Sequence, residues 1–155
     1  MGDLKNINFN LDTRESFTID GDENRVIKLD IHDTNVVTRL TDALEMMQKT
    51  QGSWTHLNDI TKSGKDMTVE EMNEFSQEYK DIENKMRSHI DYAFDCPGMC
   101  DTILGTTSIF SSVNGILKYE QIIDTITSVY EESIKKETEK LNKRKVAKKT
   151  EKYVK

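Results

Sequence analysis

The stretch that decides the fold runs from Thr68 to Gly98 and reads TVEEMNEFSQEYKDIENKMRSHIDYAFDCPG. Thr68 and Glu71 have the spacing of a capping box, in which each side chain can bond a backbone amide near the other residue. Apolar residues then recur at alternating spacings of three and four, which is typical of a helix with one buried seam. The seam consists of Met72, Phe75, Tyr79, Ile82, Met86, His89 and Ala93, of which His89 is the one polar member. The pattern predicts a long helix that ends at about Phe94, before the helix-breaking pair Pro97-Gly98.

Further helices flank this one on both sides. Asp33 is a favourable N-cap residue, and the helical spacing of the apolar residues after it predicts a helix that stops at Gly52. A short helix is expected over residues 99–104, and a longer one over about residues 116–141, after the turn signal Asn114-Gly115. The apolar stripe of the longer helix contains Tyr119, Ile122, Ile123, Ile126, Val129, Tyr130 and Ile134.

The first 30 residues favour strands. A cluster of turn-forming residues over 20–24 separates two groups of β-formers, which predicts a hairpin. Residues 7–11 alternate apolar and polar side chains and predict one more strand. Because so small a sheet needs a helix packed on one face, we expect an α+β fold that is mostly helical. Its small N-terminal sheet packs on a bundle of three or more helices in one domain, residues 1–136.

Composition and charge restrict the class of protein. Hydrophobic residues make up 35% and charged residues 32% of the chain, against about 45–50% and 25% in average domains. Such a thin core favours elongated helices or a homo-oligomer. Residues 135–155 hold ten Lys/Arg and three Asp/Glu, a balance of +7, which leaves 12 basic and 25 acidic residues, or −13, in residues 1–134. We therefore expect an acidic body with a basic, mobile extension over residues 137–155. The extension by itself could attract nucleic acid, although nucleic-acid binding by the body is disfavoured.

Targeting signals and membrane spans are not expected. No apolar run approaches the ~20 residues that a membrane helix needs, and the first ten residues lack the apolar centre of a signal peptide. Two cysteines do not make a disulfide framework, which favours a reducing compartment. The expected location is the cytoplasm.

Candidate metal and catalytic sites are weak. Asp20, Asp22 and Asn24 resemble the start of a calcium loop, but the rest of that pattern is missing, and a polar hairpin tip is the better interpretation. Cys96 and Cys100 could form a partial metal site with His89, or be two buried thiols. Phosphate loops, catalytic triads and metalloprotease motifs are absent from the sequence. We expect no cofactor, no metal and no enzymatic activity.

Two apolar groups are candidates for binding a partner. The first is Met72, Phe75 and Tyr79 on the long helix, where methionine and aromatic side chains suit varied partners. The second is Ile122, Ile126 and Tyr130 on the last helix. The alternative for both groups is ordinary core packing.

Five short segments carry a resemblance to a known family. In chain order they are Phe17-Thr18-Ile19-Asp20-Gly21, Asp30-Ile31-His32-Asp33, Ile90-Asp91-Tyr92-Ala93-Phe94-Asp95, Cys100-Asp101-Thr102-Ile103-Leu104-Gly105 and Tyr119-Glu120-Gln121-Ile122-Ile123-Asp124, followed by a lysine-rich end. This layout resembles the small tail assembly chaperones of long-tailed, siphovirus-type phages and prophages of Gram-positive bacteria. The resemblance covers about Ile7 to Lys145. The chain departs from it at Cys96-Pro97-Gly98-Met99-Cys100, where simpler glycine-rich turns are common.

The resemblance implies a function in assembly. Such chaperones bind the tape-measure protein, keep its helices soluble and recruit tail-tube proteins in the host cytoplasm. It also implies a minor, longer product made by ribosomal frameshifting. The adjacent lysine pairs are Lys135-Lys136 and Lys148-Lys149, and the second lies nearer the stop, so we expect a product that shares residues 1 to about 149 and then diverges. The alternative is that these lysines simply solubilise the last helix. The alternatives are a structural head–tail or minor tail protein, and a nucleic-acid-binding regulator that acts through the basic extension.

Overall fold

A computed structural model describes residues 2–54 and 68–153, with side chains described as far as residue 148. Eight elements follow one another along these residues. They are β1 (Glu15–Ile19), β2 (Asp22–Leu29), α1 (Val36–Gly52), α2 (Val69–Ala93), α3 (Met99–Leu104), β3 (Ser112–Val113), β4 (Ile116–Leu117) and α4 (Lys118–Tyr153). The fold is α+β and mostly helical, with a small N-terminal hairpin, as the sequence predicts.

Strands β1 and β2 form the predicted antiparallel hairpin. Glu15 pairs with Leu29 and Phe17 with Ile27. Asp20 and Gly21 make the turn with φ values of 52° and 74°, the left-handed conformation that a tight two-residue hairpin loop requires. Since side chains alternate along a strand, Phe17, Ile27 and Leu29 lie on one face, which turns towards α3 and α4. Asp20, Asp22 and Asn24, considered above as the start of a calcium loop, therefore lie in this turn and at the start of β2, and they form a polar hairpin tip.

The strand predicted for residues 7–11 is wrong. Residues 2–14, which we call the N-terminal arm, form no helix or strand, and their side chains are exposed. The alternation in the sequence supplies an apolar face, but a strand also needs a hydrogen-bonded neighbour. The arm leaves the body at Arg14, whose guanidinium contacts a carboxylate oxygen of Asp95 at 2.6 Å. Asn10, with φ of 53°, further interrupts the extended backbone.

Helix α1 begins two residues later than predicted and ends at Gly52 as predicted. Asn35, not Asp33, is its N-cap residue. Asp33 lies just before the helix, where Oδ1 accepts a hydrogen bond from the Asn35 amide at 2.9 Å and Oδ2 pairs with Arg39 at 2.9 Å. The hydrogen bond from the Arg39 guanidinium lowers the pKa of the Asp33 carboxyl, and the Asn35 amide lowers it further. Asp33 therefore anchors the connection between β2 and α1 to the start of α1 through an ion pair and a hydrogen bond.

The end of the chain differs most from its prediction. Helix α3 spans Met99–Leu104 as predicted, and the Asn114-Gly115 turn, with φ values of 55° and 78°, closes a second, very short hairpin. Because β3 and β4 pair there, α4 begins at Lys118 and not at Ile116. It continues through Tyr153, well past the predicted end at Leu141.

The core lies where the hairpin, α1, the C-terminal half of α2, α3 and α4 meet. Its largest fully buried side chains are Leu29, Met86, Ile90, Phe94, Met99, Cys100, Ile109 and Tyr130. From residue 135 to residue 148 every side chain of α4 is exposed. The burial of α4 therefore ends near residue 134, close to the predicted domain boundary. None of the helices in the described part of the chain has the length and apolar content to cross a membrane.

Candidate functional site

Helix α2 is capped by Thr68, which supplies one of the two hydrogen bonds of the predicted capping box. The hydroxyl oxygen of Thr68 accepts a hydrogen bond from the Glu71 amide at 3.1 Å, which satisfies one of the free donors of the first turn. Glu70 and Glu71 also place negative charge at the positive end of the helix dipole. The cap and the acidic residues therefore stabilise the first turn of α2, where its seam begins.

The seam of α2 changes character along the helix. Its C-terminal members Ile82, Met86 and Ala93 are buried, whereas Met72 at the other end is 44% exposed. Val69, which precedes Met72 by three residues, is 75% exposed. The same helix thus supplies core at one end and a free apolar surface at the other. We call Val69, Met72 and the half-buried Phe75 the exposed seam.

An aromatic cluster lies between these two ends. Phe75 and Tyr79 are neighbours on α2, with ring centroids 5.9 Å apart. Tyr79 also meets Trp54 and Phe110, each with ring centroids 5.7 Å away, in edge-to-face arrangements that aromatic quadrupoles favour. Phe110 continues the cluster to Tyr119 at 6.2 Å. Sequence reasoning finds Phe75 and Tyr79 but misses the other members, because they come from three separate segments.

The second predicted group lies inside the molecule. Ile122, Ile126 and Tyr130 are buried within a single chain. The Tyr130 hydroxyl donates a hydrogen bond to the Phe94 carbonyl oxygen at 3.1 Å, and burial raises the pKa of Tyr130 to about 12. Ile122 and Ile126 face the hairpin and α3, whereas the Tyr130 ring lies 5.7 Å from the Phe94 ring at the end of α2. They do not join the exposed seam in one surface. Their placement matches the core-packing alternative.

A half-open apolar cavity of about 370 Å³ lies between the hairpin, α3 and α4. Its apolar lining includes Phe17, Ile27, Ile103, Ile122, Ile126 and Val129. Asp20, Lys118, Gln121 and Thr125 are the more polar members of its wall. We call this cavity the hairpin groove. It exists because the apolar face of a two-stranded hairpin and a single helix do not fill the space between them.

A buried arginine joins α2 to the segment after α3. One terminal nitrogen of Arg87 donates to Asp101 at 2.9 Å and to the Gly105 carbonyl at 3.2 Å. The other donates to Glu83 at 3.2 Å and to the Thr107 carbonyl at 2.7 Å. The carboxylate of Glu83 in turn accepts from the Ile109 amide at 2.9 Å. This network fixes a loop against a helix, and sequence reasoning misses it because Arg87 and Glu83 resemble an ordinary surface pair at four-residue spacing.

The cysteines form part of a hydrogen-bonded helix junction. Both thiols are free and buried. Asp91 accepts hydrogen bonds from the backbone amides of Gly98 and Cys100, at 3.1 and 2.8 Å. Burial, with the Asp91 carboxylate close by, raises the pKa of the Cys100 thiol, and burial also raises the pKa of Cys96. At neutral pH these thiols therefore stay protonated and are poor nucleophiles.

His89, the third group considered for a metal site, faces α1 instead. Its Nε2 lies 3.0 Å from the Thr50 hydroxyl. Burial lowers the pKa of His89, and the nearby charge of Lys85 lowers it further. Within residues 2–54 and 68–153 there is no group of three or more His, Cys, Asp or Glu side chains arranged to hold a metal ion.

Comparison with known proteins adds no relative. The chain matches no family model, no curated protein and no solved structure.

Proposed function

We propose that this protein is a non-catalytic tail assembly chaperone of a long-tailed phage or prophage, which acts in the host cytoplasm. In this function it holds the tape-measure protein before the tail tube encloses it, and it recruits tail-tube subunits. The proposal rests on the resemblance in the order of elements and in the segments 90–95 and 100–105. It is compatible with the α+β fold, whose helices position these segments at the junction between α2 and α3.

The exposed seam is the observation that carries the binding function. Val69 and Met72 present apolar surface at 75% and 44% exposure on a helix that is otherwise packed into the body. Glu70, Glu71 and Glu74 lie exposed around them. An apolar stripe with acidic flanks fits an amphipathic helix that has basic residues beside its apolar face. A tape-measure protein, as a long helical protein with an apolar face, offers the apolar part of such a surface.

Co-expression tests the proposal directly. The tape-measure protein encoded beside this gene should aggregate alone and remain soluble, and co-purify, with the wild-type chain. Met72→Glu places a charge in the exposed seam and should abolish co-purification, because a carboxylate cannot be buried against an apolar helix face without a partner. Asn73→Glu is the matched control, since it adds the same charge one position away from the seam and should retain binding.

Two results would count against this function. One is a tape-measure protein that is equally soluble with and without the chain. The other is the presence of this protein, in fixed ratio to the tail-tube subunit, in purified phage particles analysed by mass spectrometry. The second result would indicate a structural component, because an assembly chaperone leaves before the tail is complete.

A further inference from the structure

The N-terminal arm carries a row of apolar side chains that the chain itself leaves uncovered. Leu4, Ile7, Phe9 and Leu11 are between 69% and 102% exposed. Four large apolar side chains lie exposed within eight positions, and exposed apolar surface on this scale marks an interaction site. Ile7, Phe9 and Leu11 alternate in sequence with Asn6, Asn8 and Asn10, so each exposed apolar residue has polar neighbours.

The hairpin groove is an apolar space of suitable size for these side chains. Its walls come from β1, β2, α3 and α4, and its volume of about 370 Å³ lies in the range of protein binding pockets. Groove and arm also match in charge. Asp20 and Lys118, one acid and one base, belong to the groove wall, and the arm carries Asp3 and Lys5 beside its first apolar residue. Neither surface brings an unbalanced charge to the other.

The arm does not lie in the groove of its own chain. Thr13 donates to a carboxylate oxygen of Asp30 at 2.8 Å, and Arg14 contacts Asp95 at 2.6 Å. These contacts hold the base of the arm at the Glu15 end of β1, and the groove runs along the face of the hairpin from Leu29, opposite Glu15, to Asp20 at the other end of the strand. To enter its own groove the arm would have to reverse direction and pass back along β1.

We propose that the arm of one copy seats its apolar side chains in the hairpin groove of a second copy, and that the exchange is reciprocal. The result is a closed twofold dimer, in which each copy gives an arm and receives one. Residues 4–11 and the ten groove-lining residues that are not already buried amount to about 18 residues on each copy, close to the ~20–30 per side of a stable interface. This inference does not depend on the chaperone function, because the exposed seam on α2 is a different surface.

Molecular mass measured by size-exclusion chromatography with light scattering tests the arm. The wild-type chain should have about twice the single-chain mass of 17.9 kDa. Phe9→Asp should be a monomer with unchanged helical content, because Phe9 is exposed within its own chain. Asn8→Asp adds the same charge at a neighbouring polar residue of the arm and should remain a dimer. A monomeric wild-type chain, or a dimeric Phe9→Asp variant, would overturn the proposal.

The groove is tested in the same way. Thr125→Trp fills the groove from its wall without removing a core side chain and should produce a monomer. Ser128→Trp places the same ring on the exposed surface of α4 and should leave the dimer intact. If both variants remain dimeric, the groove does not receive the arm.

Disulfide trapping identifies which copy supplies the arm. A Phe9→Cys chain mixed with a Thr125→Cys chain should give a covalent dimer under mild oxidation, since the native thiols are buried. Absence of this dimer, or a double variant that closes its disulfide only within a single chain, would show that the arm does not exchange.

Discussion

Replacement of Arg87 by methionine should be one of the most damaging single changes in this protein. Methionine keeps an unbranched apolar side chain in the helix but removes the donors that serve Glu83, Asp101 and two backbone carbonyls. The carboxylates of Asp101 and Glu83 differ in their access to water. The Asp101 side chain is 76% exposed and returns to water, whereas the Glu83 side chain is 14% exposed and keeps only its bond from the Ile109 amide among the contacts described above.

The expected loss of stability follows from the Glu83 carboxylate, which stays buried without its cationic partner. Removal of one partner from a buried ion pair costs about 3–5 kcal/mol, because the other charge stays buried without compensation. For a domain of this size each kcal/mol lowers the melting temperature by about 2–4 °C. The midpoint of thermal unfolding should therefore fall by about 6–20 °C in Arg87→Met.

Urea unfolding followed by the fluorescence of Trp54, the single tryptophan, gives the free energy of unfolding. Lys80→Met, on an exposed position of the same helix, should change it by less than ~0.5 kcal/mol. A double variant, Arg87→Met with Glu83→Gln, should be more stable than Arg87→Met alone, since it removes the stranded charge. A loss below ~1 kcal/mol in Arg87→Met, or no recovery in the double variant, would refute this reasoning.

Three further predictions concern other buried groups. Tyr130→Phe leaves the Phe94 carbonyl without its donor and should cost about 1–3 kcal/mol in urea unfolding, so a loss under ~0.5 would contradict that bond. His89 has a lowered pKa in the folded protein, so its contribution to stability is complete above its unfolded pKa of about 6.5 and is lost as the pH falls through its folded pKa. His89→Gln should therefore remove this part of the loss of stability in acid. A variant whose stability depends on pH as that of the wild-type chain does would contradict this role of His89. Cys96→Ser with Cys100→Ser should cost ~1–2 kcal/mol, and a metal bound in one-to-one ratio to the wild-type chain would exclude two merely structural thiols.

The elements that the sequence predicts well are those with strong local signals. The hairpin follows from its turn residues, α2 from its cap and seam, and α3 from the apolar pair that follows Pro97-Gly98. The interaction that specifies each of these elements lies within a few residues of it. Local chemistry is sufficient in such cases.

Two of the errors occur where contact with a second segment decides which secondary structure forms. Residues 7–11 have a strand pattern without a neighbouring strand, and the start of α4 shifts because Ile116 pairs with Val113 across a turn. The far end of α4 is longer than predicted, since helix-favouring residues and pairs such as Lys136 with Glu132, 3.1 Å apart, support a helix without burial.

The candidate site was predictable only in part, for the same reason. The seam period identifies Met72, Phe75 and Tyr79 as members of one face, but it cannot say how far along the helix the packing partner reaches. Trp54 and Phe110, which decide where burial ends, come from other parts of the chain. Likewise, the stripe of α4 predicts an apolar face, and only the position of the hairpin places Ile122 and Ile126 in the core.

The long exposed end of α4 has a consequence for how unfolding is observed. Residues 135–153 extend the helix by roughly 28 Å at 1.5 Å per residue, and their side chains gain no burial as far as residue 148. Helices without tertiary contacts are marginal in water and fray gradually from their free end. On warming, far-ultraviolet circular dichroism will therefore decline before the fluorescence of Trp54 changes. A transition fitted to helicity alone will look broader than the cooperative unfolding of the body, and only the tryptophan signal will report that event.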